Sequence, residues 1–434
     1  MNFKVNVPVN KLRERFLKHK SFSRIVALAG STALGQVLIL LASPIVTRLY
    51  TPDDFGVLSV FISGLLIVIP ASALRYELAI PLPAEDDTAI NILALSSIIV
   101  VIASCFTCLV LLFFGDSFLS WCNVEILKPY KWFLPVSLFG AGMYQVLSFW
   151  AMRKKYFKNI AKTRIGQSVW LIMTQVVLGI FKIRPEGLLF GDIVSRIVGS
   201  GRLAVITLKE DNIIDRLDWC KIKNVMWRYR KFPILSSSAS LLNCACLYMP
   251  SIILAAFYGT KTAGLYLLAQ RVAGSPLQLI GNAVAQVYIG EAAEAAKKDL
   301  KELYILFFKF FKKLVFFSVF LFVGVFIFGP RLCAVVFGEN WADTSMFIRI
   351  MAPMLIFQFI VSPLSQSANI IEKQGVQLIM DIIRFLFAFA ALVVPYCYGW
   401  DGFGAIMVYS FVMMAIYIVH FFIYRKLITK ALRV

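Results

Sequence analysis

Arg271, Ser275, Gln278, Asn282 and Gln286 follow one another at intervals of four, three, four and four residues, the spacing of a single α-helical face. Gln358, Ser362, Ser365 and Asn369 repeat the pattern in a second apolar run. Amides and hydroxyls offer neutral donors and acceptors to a hydroxyl-rich ligand, and a guanidinium can hold two phosphate oxygens at once. Among lipid tails such side chains gain nothing, so a polar stripe faces protein or water. Gln and Asn repeated along most of a bilayer thickness favour a water-filled cavity. Two further stripes, Thr32/Gln36/Ser43/Thr47 and Ser236/Ser240/Asn243/Ser251, are richer in Ser and Thr. For these, helix–helix adhesion and cavity lining stand as equal readings.

Charge inside a membrane span costs roughly 2.5–3.5 kcal/mol, so each case needs a reason. Asp192 and Arg196 lie four residues apart, and Asp381 and Arg384 three apart. Each pair can bond within its own helix, which leaves a structural ion pair and a functional role both open. Arg202 and Arg349 are near enough to span ends to snorkel outward. Arg271 has no acid three or four residues away and sits on the amide stripe. It is the residue expected to meet an anionic substrate, with Gln278, Asn282, Gln286, Gln358 and Asn369 as its neutral partners. Arg24, Arg48 and Arg75, at the ends of the first hairpin, extend the positive field. No catalytic constellation emerges. His19 and His420 are the only histidines and lack partners for acid–base or metal work. Cys105 and Cys108 have redox spacing but stand inside an apolar run without a second pair. Glu85, Asp86 and Asp87 suit a helix N-terminus better than a metal. No metal and no cofactor is expected.

The elements that must carry these residues are membrane helices. Of 434 residues, 60% are hydrophobic and 16% charged, with a mean hydropathy of +0.79, a composition that excludes a soluble domain. Runs of roughly 20 apolar residues predict twelve spans. The first six are Ile25–Thr47, Phe55–Leu74, Ala89–Phe114, Trp132–Met152, Ile165–Phe181 and Gly187–Leu208. The second six are Phe232–Phe257, Ala263–Gly290, Tyr304–Phe328, Thr344–Ile371, Val376–Tyr398 and Phe403–Tyr424. With the N-terminus inside, the connections and adjoining span ends on that side hold 33 of the 44 Lys and Arg, against 7 opposite. This asymmetry predicts cytoplasmic termini, and it assigns the net charge of +20 to the inner membrane surface rather than to nucleic acid. The organisation expected is a basic amphipathic N-terminus (1–24), a first lobe (25–208), an interfacial linker (209–231), a second lobe (232–424) and a short tail (425–434). Val9–Lys18 and Ile213–Tyr229 read as basic surface helices, and Ala292–Leu303 as a solvated one.

The stretch Leu34–Leu82 is the most informative part of the chain. Two spans flank the turn Arg48-Leu-Tyr-Thr-Pro-Asp-Asp-Phe-Gly56. Thr51 suits an N-cap, Pro52 the first helical position, and Asp53 and Asp54 the positive end of the helix dipole. A shift of 208 residues lays Tyr50 and Gly56 on Tyr258 and Gly264, and brings Pro44 within two positions of Pro250. Two similar halves related by an axis along the membrane normal are therefore expected, with bends in spans one and seven at the prolines.

Thr47-Arg-Leu-Tyr-Thr-Pro-Asp-Asp-Phe-Gly56, followed by Ala73-Leu-Arg-Tyr-Glu-Leu-Ala-Ile80 and by Trp150-Ala-Met-Arg-Lys-Lys-Tyr-Phe157, resembles the first half of the bacterial Wzx-type oligosaccharide flippases. These belong to the multidrug/oligosaccharidyl-lipid/polysaccharide exporter superfamily. The resemblance implies an all-α polytopic membrane protein of the inner membrane, with twelve transmembrane helices in two six-helix lobes around a central cationic cavity. It implies a lipid-linked substrate, an undecaprenyl diphosphate-linked oligosaccharide of O-antigen or capsule type, moved to the outer leaflet by alternating access. It also implies ion coupling, for which Asp192, Asp381 and Glu77 are the available acids, and polysaccharide polymerase and chain-length proteins as partners. A drug antiporter of the same superfamily would want an acidic, aromatic cavity. An integral-membrane glycosyltransferase or polymerase would want clustered acids or a large external loop.

Overall fold

In the computed structural model, which describes residues 30–209, 213–371 and 373–432, every predicted span is helical over most of its described residues. The first half contains α1 (Gly30–Leu49), α2 (Pro52–Ser72), α3 (Asp86–Trp121), α4 (Phe133–Arg153), α5 (Phe157–Ile180) and α6 (Glu186–Leu208). A connector holding α7 (Trp219–Arg228) leads to span seven, a π-helical turn over Phe232–Ser237 continued by α8 (Ser238–Tyr258). Span eight is α9 (Thr260–Ala269), a π-helical turn over Gln270–Gly274, and α10 (Ser275–Lys298). Then come α11 (Leu300–Phe337), span ten as α12 (Thr344–Leu364) plus α13 (Gln366–Ile370), α14 (Gln374–Cys397) and α15 (Gly402–Ala431). This is an all-α membrane protein of twelve spans in two six-helix lobes. Along α3, Ile102, Phe106, Phe113 and Phe114 are all exposed, a stripe that water would not tolerate at this size but lipid does.

The start of α2 follows the local chemistry of its sequence. Thr51 Oγ1 accepts from the Asp54 amide at 3.3 Å while Asp54 Oδ2 accepts from the Thr51 amide at 2.8 Å, a closed capping box with Pro52 in the first turn. At its other end Leu74 and Arg75 both take positive φ (49° and 62°), the left-handed region that non-glycine residues enter at a cost. A 3₁₀ turn, Tyr76–Ala79, follows. The end of the molecule carrying Pro52 is called the turn face below, and the end carrying Arg75 and the Lys/Arg-rich connections the basic face.

The repeat seen at a shift of 208 residues is physical. A Cβ on Gly56 would stand 2.1 Å from the Thr260 carbonyl oxygen, and one on Gly264 would stand 1.8 Å from that of Pro52. The four positions exchange under the same shift, so α2 and α9 cross backbone to backbone about the pseudo-two-fold axis. Tyr50 donates its hydroxyl to the Gln175 carbonyl of α5 at 2.8 Å. Its counterpart Tyr258 does the same to Leu392 of α14 at 2.7 Å, so each tyrosine ties the first turn of its half to the fifth span. The lobes also clasp each other at the turn face. Trp341 Nε1 donates to the Thr47 carbonyl at 2.9 Å, and Asn123, in the equivalent connection of the first half, donates to the Ala256 carbonyl. One buried core, with Phe55 and Phe61 from the first half and Tyr266, Trp341 and Phe347 from the second, runs through this junction. A smaller core at the basic face joins Tyr76, Ile92, Trp150 and Ile160 to Ile222 and Val225 of α7.

Two local expectations are corrected. The connector is not one helix from Ile213 to Tyr229, because a 3₁₀ turn at Ile214–Arg216 precedes α7 and Asp218 caps the new start by accepting from the Cys220 amide at 2.8 Å. Ala292–Leu303 is likewise interrupted at Asp299, whose extended backbone (φ −158°, ψ 134°) ends α10. The N-terminal surface helix predicted at Val9–Lys18, and Arg24 with it, lie outside the described residues. Pro44 and Pro250 both fall inside helices.

Two measurements check this account. Gly56→Val or Gly264→Val should lower the thermal midpoint of purified protein, since a side chain pressed against a backbone carbonyl costs about 1–3 kcal/mol, and Gly64→Ala, with open space around its Cβ, should not. On the basic face, Lys154 and Arg153 bond the Asp86 carboxylate (2.9 and 2.8 Å) and hold it below the usual carboxylate range. A depressed folded value contributes stability above the ordinary range and loses it as pH falls through the depressed one. Asp86→Asn should therefore trail the parent slightly in thermal midpoint near neutral pH, with the gap closing on acidification.

Candidate functional site

A cavity of about 360 Å³ opens among spans seven, eight, ten, eleven and twelve. Its wall is mostly amide and hydroxyl: Asn243 from α8, Gln270 from the π turn, Gln278 and Asn282 from α10, Gln358 and Ser362 from α12, Gln366 from α13 and Gln377 from α14. Tyr417, His420 and Tyr424 of α15 close one side. Spans eight, ten, eleven and twelve contribute polar residues at helical spacing, so the stripes of spans eight and ten visible in the sequence converge on one space, with Asn243 joining them from span seven.

A single ion pair sits in that wall. Arg384 Nη2 lies 3.2 Å from Asp381 Oδ1 and donates to Asn243 Oδ1 at 3.3 Å. Gln377 donates to Asp381 Oδ2 at 3.4 Å and accepts from the Tyr424 hydroxyl at 2.9 Å. The network links α8, α14 and α15. It compensates the carboxylate from two directions, and the cavity it borders is nearly neutral, suited to ligands recognised by hydrogen bonds rather than by charge.

Arg271 is not in this wall, contrary to expectation. The π turn at Gln270–Gly274 inserts an extra residue into one turn of span eight, rotating what precedes it by about 100° relative to α10. Gln270 takes the place on the cavity face. The Arg271 guanidinium instead lies 5.4 Å from the ring centroid of Phe55, which meets Trp341 edge to face at 4.8 Å. It is a cation–π contact between the lobes.

The family model described as polysaccharide biosynthesis protein matches residues 45–346. The chain belongs to that family. Its fold is that of the multidrug/oligosaccharidyl-lipid/polysaccharide exporter superfamily. An inward-facing MATE multidrug transporter superposes with a TM-score of 0.77 at 17% identity, covering 94% of this chain and 99% of the other. The lipid II flippase MurJ in an inward closed conformation gives 0.70 at 14% identity, covering 92% and 87%. An outward-facing MATE transporter gives 0.54 at 16%, covering 94% and 96%. No curated protein sequence matches the chain.

The remaining candidates divide by location. Gln278, Asn282 and Gln358 line the cavity. Asn369 is exposed beside it and donates to the lining residue Gln366 at 3.0 Å, whereas Gln286 is exposed further along α10 and outside the lining. Arg48 is exposed at the turn face. Asp192 is bonded twice by Arg196, at 2.5 and 3.0 Å, in the first half and away from this cavity. Glu77 is buried near the basic face, accepting from Gln145 at 2.8 Å with Arg75 at 3.6 Å, and Arg75 reaches across to Ser240 of span seven. Two features escaped the sequence reading. His420, Tyr417 and Tyr424 recur at three to four residues on α15, a periodicity submerged in an aromatic-rich span. Arg164, counted as part of a basic connection, lies two turns inside α5, where it donates to Thr32 of α1 and to Tyr144 of α4 (3.3 Å). Its one signal is the face it shares with Ser168 and Gln175, both buried.

The ion pair offers a direct test. Arg384→Ala leaves Asp381 in a half-buried wall without its cation, a loss of about 3–5 kcal/mol for a fully buried pair and less here. The double variant Asp381→Asn/Arg384→Gln should recover most of the thermal midpoint that the single one loses. Equal losses would show that the two side chains do not depend on each other.

Proposed function

We propose that this chain is a flippase for a lipid-linked oligosaccharide, carrying an undecaprenyl diphosphate-linked repeat unit of O-antigen or capsule type from the cytoplasmic to the outer leaflet of a bacterial inner membrane, with both termini cytoplasmic. The observation that carries the reading is the amide-lined cavity. Sugars need many neutral hydrogen-bond partners at fixed positions, and Asn243, Gln270, Gln278, Asn282, Gln358 and Gln377 supply them inside the membrane spans. Family membership and the likeness to a lipid II flippase support a lipid-linked substrate. The prenyl tail stays in lipid while the glycan enters between the lobes. Arg75, which reaches Ser240 of the other lobe and lies 3.6 Å from Glu77, and Arg164, bonded to Thr32 and Tyr144, are the cations proposed to meet the diphosphate, in place of Arg271.

Alternating access fits the distribution of contacts. The lobes are clasped at the turn face by Thr47–Trp341, Asn123–Ala256 and Phe55–Arg271, so this state is closed on the side expected to be outer. Asp192, Asp381 and Glu77 remain the acids proposed for ion coupling, Asp381 having the most direct connection to the cavity. A polysaccharide polymerase and chain-length proteins are the proposed partners. No cofactor is assigned. A drug antiporter is disfavoured because the cavity's one carboxylate is already neutralised by Arg384.

The decisive assay is transbilayer movement of a labelled lipid-linked oligosaccharide in proteoliposomes of purified protein. Movement without any change in the glycan is expected, and Gln358→Leu or Asn282→Leu should slow it by about tenfold if each removes one or two substrate hydrogen bonds. Chain extension by the protein alone, or export of cationic drugs without lipid movement, would replace this reading.

A further inference from the structure

A second, almost wholly apolar cavity of about 210 Å³ lies far from the polar one, at the basic face of the first lobe. It is walled by Ile90 and Ala94 of α3, Leu147 of α4, Ala204 of α6, and Ile213 and Leu217 of the connector. Three membrane helices thus leave a slot that no side chain of the described residues fills, and Ile213 and Leu217 of the linker between the lobes form its roof.

The roof is built for the headgroup layer. Helix α7 buries Ile222 and Val225 against the first lobe and exposes Trp219, Met226 and Trp227. Lys221, Lys223 and Arg228 are exposed on the same short helix. Indole rings and long cationic side chains together are what an interfacial helix presents to lipid headgroups. Arg216 and Asp218 of the connector are tied to α3. Asn91 of α3 accepts from the Asp218 amide at 3.0 Å and donates to the Arg216 carbonyl at 3.4 Å. At the rim of the slot, Arg216 and Lys221 both approach one carboxylate, Asp87, at 3.7 and 4.0 Å. With Asp215 and Asp218 counted, the connector from Ile213 to Lys231 carries six Lys and Arg against two acids, so the face around the slot is positive, and the exposed Lys209 stands beside it.

We propose that this slot is a binding site for an anionic phospholipid. One acyl chain lies in the cavity between α3, α4 and α6, and the phosphate rests on Arg216, Lys221 and Lys209. Charge complementarity selects the occupant, since an uncharged or zwitterionic lipid would fill the slot but leave the rim uncompensated. The bound lipid would fasten the linker between the lobes to the membrane. The proposal does not depend on the identity of the transported molecule.

Native mass spectrometry of the full-length protein, delipidated and then titrated with phosphatidylglycerol or phosphatidylcholine of identical chains, tests it. The parent should retain phosphatidylglycerol with a preference on the order of tenfold. Arg216→Gln/Lys221→Gln should abolish the preference while keeping chain binding. Ala94→Phe/Ala204→Phe, which fills the slot, should remove both. An absent preference in the parent, or an unchanged one in the charge variant, overturns the proposal even if the filled variant fails to fold. Displacement by undecaprenyl phosphate with no retention of phosphatidylglycerol would also overturn it, by assigning the slot to a prenyl chain. Flipping assays need not work for any of these outcomes to be read.

Discussion

Two backbones touching at Gly56 and Gly264 set the geometry of everything else. Helices α2 and α9 can cross this closely only where neither carries a Cβ, and each glycine faces the carbonyl of the residue that begins the other helix. Fixing that crossing at the turn face fixes where Phe55 meets Trp341 and where Trp341 reaches Thr47. Gly56 and Gly264, like Tyr50 and Tyr258, take the same roles in the two halves, so the crossing is symmetric, while Phe55, Trp341 and Arg271 add contacts that are not repeated by like residues. The basic face has no comparable clasp among the described residues, and there the Arg75 side chain alone bonds across to Ser240.

This asymmetry gives the second lobe its character. With the turn face closed, polar faces of spans seven, eight, ten, eleven and twelve meet around the cavity, where unpaired charge would be costly. The sequence meets that cost by pairing Arg384 with Asp381 and surrounding both with Asn243, Gln377 and Tyr424. What remains open to a ligand is a set of amides. The first lobe differs, placing Arg164 between the hydroxyls of Thr32 and Tyr144 and Arg75 between Ser240 and Glu77, so the two lobes partner their arginines in different ways.

Much of this was legible in the chain. Apolar run lengths located all twelve spans, and the residues Thr51, Pro52 and Asp54 announced the start of α2 because capping is a local interaction that needs no tertiary context. The Gly56/Gly264 match was visible as two letters in register, though not its meaning, because close packing is a property of two helices and not of either sequence. Arg271 shows where periodicity stops. Counting residues assumes an unbroken α-helix, and the π turn that moved the guanidinium from the cavity to Phe55 has no composition of its own. Arg164 was hidden for a related reason: charge was counted by connection, and α5 begins earlier than its apolar run.

The same π turn makes span eight adjustable. A helix carrying one surplus residue in a turn holds two alternative registers in a single strand of covalent chain. Passing that surplus along toward α10 would sweep Gln278 and Asn282 around by about a quarter of a circle, without breaking the Gly56–Gly264 crossing behind it. The orientation of the amide-bearing face of this lobe thus depends on where one backbone irregularity sits, while the crossing behind it does not.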